Sequence, residues 1–234
     1  MNLLNTLLNL IYPPHCLVCK ARLDADDRHL CKKCLNKIHL INGPTCKHCS
    51  RPVFYHRPLC NECEGRKSYL SRVWSWALYD DYFKEIIKLF KYKNKSYVIK
   101  AFSRSILQFI EENQILKKID FIVPVPLHPD KLRMRGYNQS RVLAELIAKH
   151  VKIGVLDCLI KTIETRPQNE LNKTERKLNI KGVFRVKHPK KICGKMILLV
   201  DDIFTTGSTI NECAKTLIKA GAKKAYGFTL SRGL

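Results

Sequence analysis

The stretch ILLVDDIFTTGST, residues 197–209, carries the reading of the fold. An apolar run of strand character leads straight into two adjacent carboxylates, Asp201 and Asp202. A loop rich in hydroxyls follows, and then a helical pattern. At the end of a parallel strand, the next helix presents unpaired backbone N–H groups and the positive end of its dipole. Gly207 lets the backbone approach an anion closely. Thr205, Thr206, Ser208 and Thr209 add hydroxyl donors, and the set suits one phosphate monoester. Two carboxylates beside a phosphate need something neutral or cationic between them. Sugar hydroxyls and a magnesium ion meet that need. A simple helix cap with two solvated acids accounts for one or two of these residues, not for the whole set.

Outward from this stretch, the chain from residue 73 onward alternates strands with helices. VWSWALYD (73–80), FIVPVP (121–126), MILLVDD (196–202) and AYGFTLSR (225–232) read as strands. Residues 81–92, 97–117, 138–151 and 208–220 read as helices, the last ending at Gly221, a C-cap glycine. Residues 164–182 are polar and without apolar period, and read as a long functional or disordered loop. The expectation is an α/β domain with a parallel-rich sheet covered by helices on both faces.

The first 70 residues have a different texture. Eight of the eleven cysteines form four Cys-x-x-Cys pairs: Cys16/Cys19, Cys31/Cys34, Cys46/Cys49 and Cys60/Cys63. Spacing within each half is that of a zinc ribbon, two pairs on two turns. The simplest pairing is sequential, with a crossed one left open by spacing. Four thiolates per ion leave no open coordination position, so two structural zinc ions are expected. The segment has little apolar periodicity, so metal rather than a core must hold it. His15, His29, His39, His48 and His56 are spare, and Cys158, Cys193 and Cys213 stand alone.

Leu3, Leu4, Leu7, Leu8 and Ile11 fall at helical spacing. The opening segment lacks a leading positive charge and a small-residue cleavage site, so it reads as an amphipathic helix rather than a signal peptide. It also lacks the Lys/Arg-rich face of an interfacial helix, which leaves weak membrane contact as the alternative. No apolar run is long enough for a transmembrane span. Metal-bound thiolates and no leader place the chain in a reducing, cytoplasmic setting. The formal net charge is +23. Eight zinc-bound thiolates and two zinc ions would bring it to about +19. So basic a chain attracts polyanions, nucleic acid above all, although a generally basic proteome gives the same balance.

Residues 197–209 resemble the phosphoribosyl diphosphate signature of type I phosphoribosyltransferases. That resemblance implies that Asp201 and Asp202 hold the ribose hydroxyls and that residues 205–209 cradle the 5-phosphate. VPVPLHPDKLRMRGYNQS (123–140) resembles the loop that ComF-family proteins carry at the pyrophosphate position, with His128, Lys131, Arg133, Arg135, Asn138 and Gln139 as its polar positions. TRPQNELNKTERKLNIKGVF (165–184) resembles the ComF stretch at the flexible hood loop, with Gln168, Arg176, Asn179 and Phe184. IIKLFKYKNKSY (86–97) is also ComF-like. Its Lys88, Lys91, Lys93 and Lys95, interleaved with Tyr92 and Tyr97, suit single-stranded nucleic acid as well as a solvated helix end. With the zinc pairs, the resemblance covers nearly the whole chain.

The ComF resemblance implies a competence protein of natural transformation. It would bind phosphoribosyl diphosphate with Mg²⁺ and single-stranded DNA at the cytoplasmic side of DNA uptake, in the company of a competence helicase or other uptake proteins. It would consist of residues 1–70, an N-terminal helix and double zinc ribbon, and residues 71–234, a phosphoribosyltransferase-like domain. Phosphoribose transfer is a further implied activity, its acceptor and general base unassigned. Two other readings stand beside it: a nucleotide-salvage phosphoribosyltransferase, and a phosphoribosyl diphosphate sensor without chemistry. Hypoxanthine-type enzymes place an acid where this chain has Thr205, which counts against purine salvage.

Overall fold

The computed structural model describes residues 13–24, 29–54, 57–91, 96–165 and 172–233. The expected helix over residues 1–12, and His56, Tyr92, Lys93, Lys95 and Gln168, lie outside the described residues.

The elements run α1 (Lys32–Leu35), β1 (Leu70–Leu78), α2 (Asp81–Lys91), a 3₁₀ turn (Ser96–Ala101) and α3 (Ser103–Glu112). After these come β2 (Phe121–Pro124), α4 (Pro129–Arg135), α5 (Gln139–Val151), β3 (Leu159–Lys161) and α6 (Lys173–Asn179). The rest is β4 (Phe184–Val186), a 3₁₀ turn (Pro189–Lys191), β5 (Met196–Phe204), α7 (Ser208–Lys219) and β6 (Lys224–Arg232). The main sheet has the order β1-β6-β5-β2, and every pairing in it is parallel. β3 and β4 form a separate antiparallel pair. The parallel-rich α/β architecture expected from the alternating pattern is borne out.

The core lies on both faces of the main sheet, as strand alternation requires. Along β5, Leu198 and Val200 enter one cluster with residues of α2, α3 and α5. Ile197 and Leu199 enter the other, with Ile210, Ala214 and Leu217 of α7. The cysteine segments join these clusters. Cys16, Cys31 and Cys34 pack in the first, and Cys46, Cys49, Cys60 and Cys63 in the second. They meet the sheet along β1, its edge strand. Ile41 N–H donates to the Trp76 carbonyl (3.0 Å) and Leu78 N–H to that of His39 (2.8 Å). Val73 N–H donates to the Lys47 carbonyl (2.8 Å) and Ser75 N–H to Ser50 Oγ (2.8 Å). An open edge would expose these donors and invite a second chain; here the cysteine segments cover it.

Three expectations need correction. Residues 97–117 are not one helix. Val98, Ile99 and Phe102 are all buried, and a 3₁₀ turn brings these three inward before α3 begins. Asn113 then ends α3, its side-chain amide donating back to the Phe109 carbonyl (2.9 Å). Residues 164–182 contain α6, which needs no apolar stripe because a capping box starts it. Asn172 Oδ1 accepts from the N–H groups of Thr174 and Glu175 (both 3.0 Å), and Glu175 Oε2 accepts from Asn172 N–H (2.8 Å). Part of 123–140, expected as a loop, is α4. Pro129 begins it and Gly136, at φ +81, closes it in the left-handed conformation.

Candidate functional site

β5 runs two residues beyond the acid pair, so Asp201 and Asp202 lie within the strand, and Asp201 is in register with Thr229 of β6. Asp201 Oδ1 accepts from Ser140 Oγ (2.9 Å) and from Asp202 N–H (2.9 Å). Asp202 pairs with Lys91 Nζ at 3.1 Å. Burial, and then the neighbouring Asp202 carboxylate, push the Asp201 carboxyl up to about 7, against the bond from Ser140. Asp202 meets the same burial, but the Lys91 ammonium and the Arg135 charge hold it below its ordinary value. The pair thus carries one proton more readily than either acid would alone.

Beyond Phe204 the chain turns through Thr205–Gly207 into α7. Gly207 has φ +74, and a Cβ there would lie 2.2 Å from Phe204 Cζ. Glycine is therefore required twice, by its backbone angle and by the ring beside it. Thr206 Oγ1 and Ser208 Oγ are 2.9 Å apart, and Ser208 N–H points to Thr206 Oγ1 (3.3 Å). These hydroxyls and the first N–H groups of the twelve-residue α7 form one cradle, a few residues along the chain from the acid pair.

The other polar positions divide. Asn138 caps α5, accepting from Ser140 N–H (3.0 Å) and donating to the Val125 carbonyl (2.9 Å). His128 caps α4. Arg133 pairs with Asp130 and is 76% exposed. Arg135 donates to Gln139 Oε1 (3.1 Å). Gln139 is 1% exposed, and its Nε2 has no hydrogen-bond partner. Lys131 reaches the Thr165 carbonyl (3.3 Å). Lys131, Arg135 and Gln139 thus hold contacts within the chain, and Asn138 and His128 each cap a helix. Arg176 and Asn179 lie on α6, which packs against α7.

Two residues bonded to the acids, and a buried lysine, escaped the sequence reading of the site. Ser140 closed the quoted ComF-like segment without being singled out. Lys91 was assigned to a nucleic-acid stripe. Lys161 ends β3 and donates to Thr165 Oγ1 (2.6 Å). Burial first, then the Lys131 charge, lower its ammonium to about 8, against the attraction of Glu164 and Asp201. A lysine closing the apolar triplet Cys158–Ile160 was the signal available for it.

The cysteines form two four-thiol clusters, each with all ligand atoms within 4.8 Å of one another, and their pairing is sequential. Cys19 and Cys31 Sγ are 3.6 Å apart, as are those of Cys49 and Cys60. A tetrahedron with Zn–S of about 2.3 Å has edges of about 3.8 Å. The turns repeat as well. Lys20 N–H bonds back to Cys16 O and Ser50 N–H to Cys46 O, with Lys20 and Ser50 both at positive φ. Burial raises the Cys16 thiol, but N–H groups of Cys19, Cys31 and Val18 outweigh it and bring it down to about 6. Burial pushes Cys34 up to about 12, and the neighbouring thiols add to that. Four thiolates this close repel unless a divalent cation sits among them, and the two clusters fit two structural zinc ions.

The fold and these clusters define an α/β parallel-sheet protein carrying a double zinc ribbon. Residues 7–64 match the family described as the double zinc ribbon domain. Over nearly its whole length the chain is similar to Competence protein F of Haemophilus influenzae, 28% identical over 93% of this chain and 96% of that protein. It is 29% identical to Competence protein ComFC of Bacillus subtilis, over 93% of this chain and 94% of that one. It is 28% identical to DNA utilization protein YhgH of Escherichia coli, over 96% of this chain and 100% of that protein. The ComF resemblance is borne out along the sheet domain as well as at the cysteine pairs. Among the described residues no helix is long and apolar enough to cross a membrane.

Proposed function

We propose that this chain acts in competence-linked DNA uptake; the names of its relatives, competence proteins and a DNA utilization protein, support that reading. In this reading it binds phosphoribosyl diphosphate with Mg²⁺, and single-stranded DNA, in the cytoplasm. The observation that carries the ligand is the cradle of Thr205–Thr209 beside an acid pair bonded to Ser140 and Lys91. Asp201 and Asp202 would accept the ribose hydroxyls, and the cradle would take the 5-phosphate. Lys131, Arg135, Gln139 and Lys161 would face the diphosphate, where Mg²⁺ would neutralise charge on the leaving group. Phosphoribose transfer would displace diphosphate at the anomeric carbon. The sequence and the site assign no general base to that step, and Thr205 stands where purine-salvage enzymes have an acid. A sensor that binds without turnover remains the second reading. The partition at residue 70, the hood role of residues 165–184 and a partner among the DNA-uptake proteins, a helicase included, belong to the same proposal.

Calorimetric titration with phosphoribosyl diphosphate and Mg²⁺, with and without short single-stranded DNA, tests it. Saturable binding that Asp201→Asn/Asp202→Asn loses, with zinc content unchanged, is the expected result. A flat titration under both conditions would remove the ligand from this reading. Binding with turnover of a free base would favour salvage, and binding without turnover would favour the sensor.

A further inference from the structure

Lys91 belongs to two surfaces at once. It ends α2, and its ammonium lies 3.1 Å from Asp202 Oδ2. It is also the last of Lys84, Lys88 and Lys91, which follow one another at spacings of four and three residues. Side chains so spaced share one face of a helix. Lys84 and Lys88 are exposed, and Lys91 is half-buried where that face meets the acid pair. Its side chain is 30% exposed against 16% for that of Asp202, so the lysine keeps the more open side of the ion pair.

The body of α2 cannot follow its last side chain. Phe83, Ile86, Ile87 and Phe90 are buried in the core. The Phe90 carbonyl, without an intrahelical partner at the helix end, accepts from the Tyr137 hydroxyl, and the two ring centroids are 6.3 Å apart. Tyr137 lies between Gly136, which closes α4, and Asn138, which caps α5. The backbone at the end of α2 is therefore held, while the Lys91 ammonium rides on a flexible four-carbon stem. Tyr97, further along the same stripe, packs its ring against that of His29, with centroids 4.6 Å apart. What α2 offers to a polyanion is charge rather than a free aromatic face.

A carboxylate largely withdrawn from water needs a counter-charge, and in the empty site Lys91 supplies it. Sugar hydroxyls and a cation that take over the Asp202 oxygens remove that need. The ammonium is then free for an anion lying along Lys84 and Lys88. We propose that Lys91 is an exchangeable counterion, shared between Asp202 and the phosphates of single-stranded DNA on the Lys84–Lys88–Lys91 face, so that filling the acid pair tightens DNA binding. Coupling of this kind is reciprocal, so DNA must tighten the ligand by the same factor. Both ligands are those of the proposed function, on which the exchange rests for their identity. The sign is diagnostic. An anionic ligand added to the site repels DNA by charge alone, so tightening runs against simple electrostatics.

The test follows binding of a short dT oligonucleotide to the full zinc-loaded chain over a salt series, with Mg²⁺ held constant. Asp202→Asn, with no other ligand, should tighten binding about fivefold. It should also steepen the fall of log K with log salt by about 0.7, the mark of one more phosphate contact. Adding Lys91→Met to Asp202→Asn should abolish the extra slope, and adding Lys91→Arg should keep it. In the wild type, phosphoribosyl diphosphate should reproduce the Asp202→Asn effect. An unchanged slope in Asp202→Asn, or the same gain with Lys91→Met present, would overturn the exchange. Failure of every variant to bind the oligonucleotide would overturn it together with the DNA half of the proposed function. A gain in Asp202→Asn without any response to phosphoribosyl diphosphate would keep the exchange and remove that ligand from the acid pair. Should Asp202→Asn fail to fold, the wild-type response to phosphoribosyl diphosphate and its loss in Lys91→Met decide the matter.

Discussion

The two zinc ribbons share one ligand chemistry and nearly one sequence pattern, yet they face different neighbours. The first packs its cysteines with the helices on one face of the sheet. The second packs with α7 and the strand residues of the opposite face, beside the buried Ser50–Ser75–Thr229 line. Equal metal sites therefore have unequal consequences. Coordination chemistry sets how tightly each holds its ion, while the surface each ribbon covers sets what else depends on that ion.

Breaking the ribbons one at a time should give the largest effect. Cys16→Ser and Cys46→Ser should each reduce zinc from two equivalents to one, because metal binding in such small modules is worth about 10 kcal/mol or more and their folding depends on it. The two variants should then diverge. Cys46→Ser should raise amide exchange over residues 204–210, and Cys16→Ser should raise it over α2. Matching exchange maps would erase the distinction drawn between the ribbons.

The next effect sharpens the second ribbon's side of the comparison. Gly207→Ala meets both a positive φ and the Phe204 ring at 2.2 Å. A cost of about 1–3 kcal/mol is expected from the strained backbone alone. Titration should show at least about tenfold weaker binding of phosphoribosyl diphosphate, with both zinc ions retained. Wild-type affinity in Gly207→Ala would mean that the cradle does not touch the ligand.

The smallest effect concerns the acid pair. Asp201 has its carboxyl raised to about 7 by burial and by Asp202. Between its ordinary value and about 7, the folded chain binds more protons than the unfolded one, so this group lowers stability as pH rises through that window. Asp201→Asn should flatten the slope and be about 1 kcal/mol more stable above pH 7, a gain of about 2–4 °C in Tm. Thermal unfolding at pH 5 and pH 8 reads this directly. The same variant should weaken ligand binding, and greater stability with undiminished affinity would show that Asp201 is not a ligand group.

Much of this was legible because it depends on short-range order. The strand–acid–hydroxyl–helix succession and the Cys-x-x-Cys pairs are local signals, and both landed where the sequence placed them. Other parts were legible only wrongly. α6 looked like a loop because its stabilisation is a capping box and its Leu178 is exposed. The 3₁₀ turn at Ser96–Ala101 hid inside a helical pattern because the core, not local propensity, sets its pitch. Of the polar positions in 123–140, Asn138 and His128 also cap helices, which their spacing alone did not reveal.

The sequence by itself determined the parallel α/β class, the strand–acid–hydroxyl–helix succession at 197–209 and the two clusters of four cysteines, because each is written in nearby residues whose spacing mirrors a backbone period or a coordination shell. Only the tertiary structure decided that Ser140 bonds to Asp201 and Lys91 to Asp202. It alone placed the two ribbons on opposite faces of one edge strand, and set Arg232 over Phe204. Those contacts join residues from tens to about a hundred positions apart, brought together by burial on a twisted sheet, and no local pattern encodes which distant charge will share a pocket.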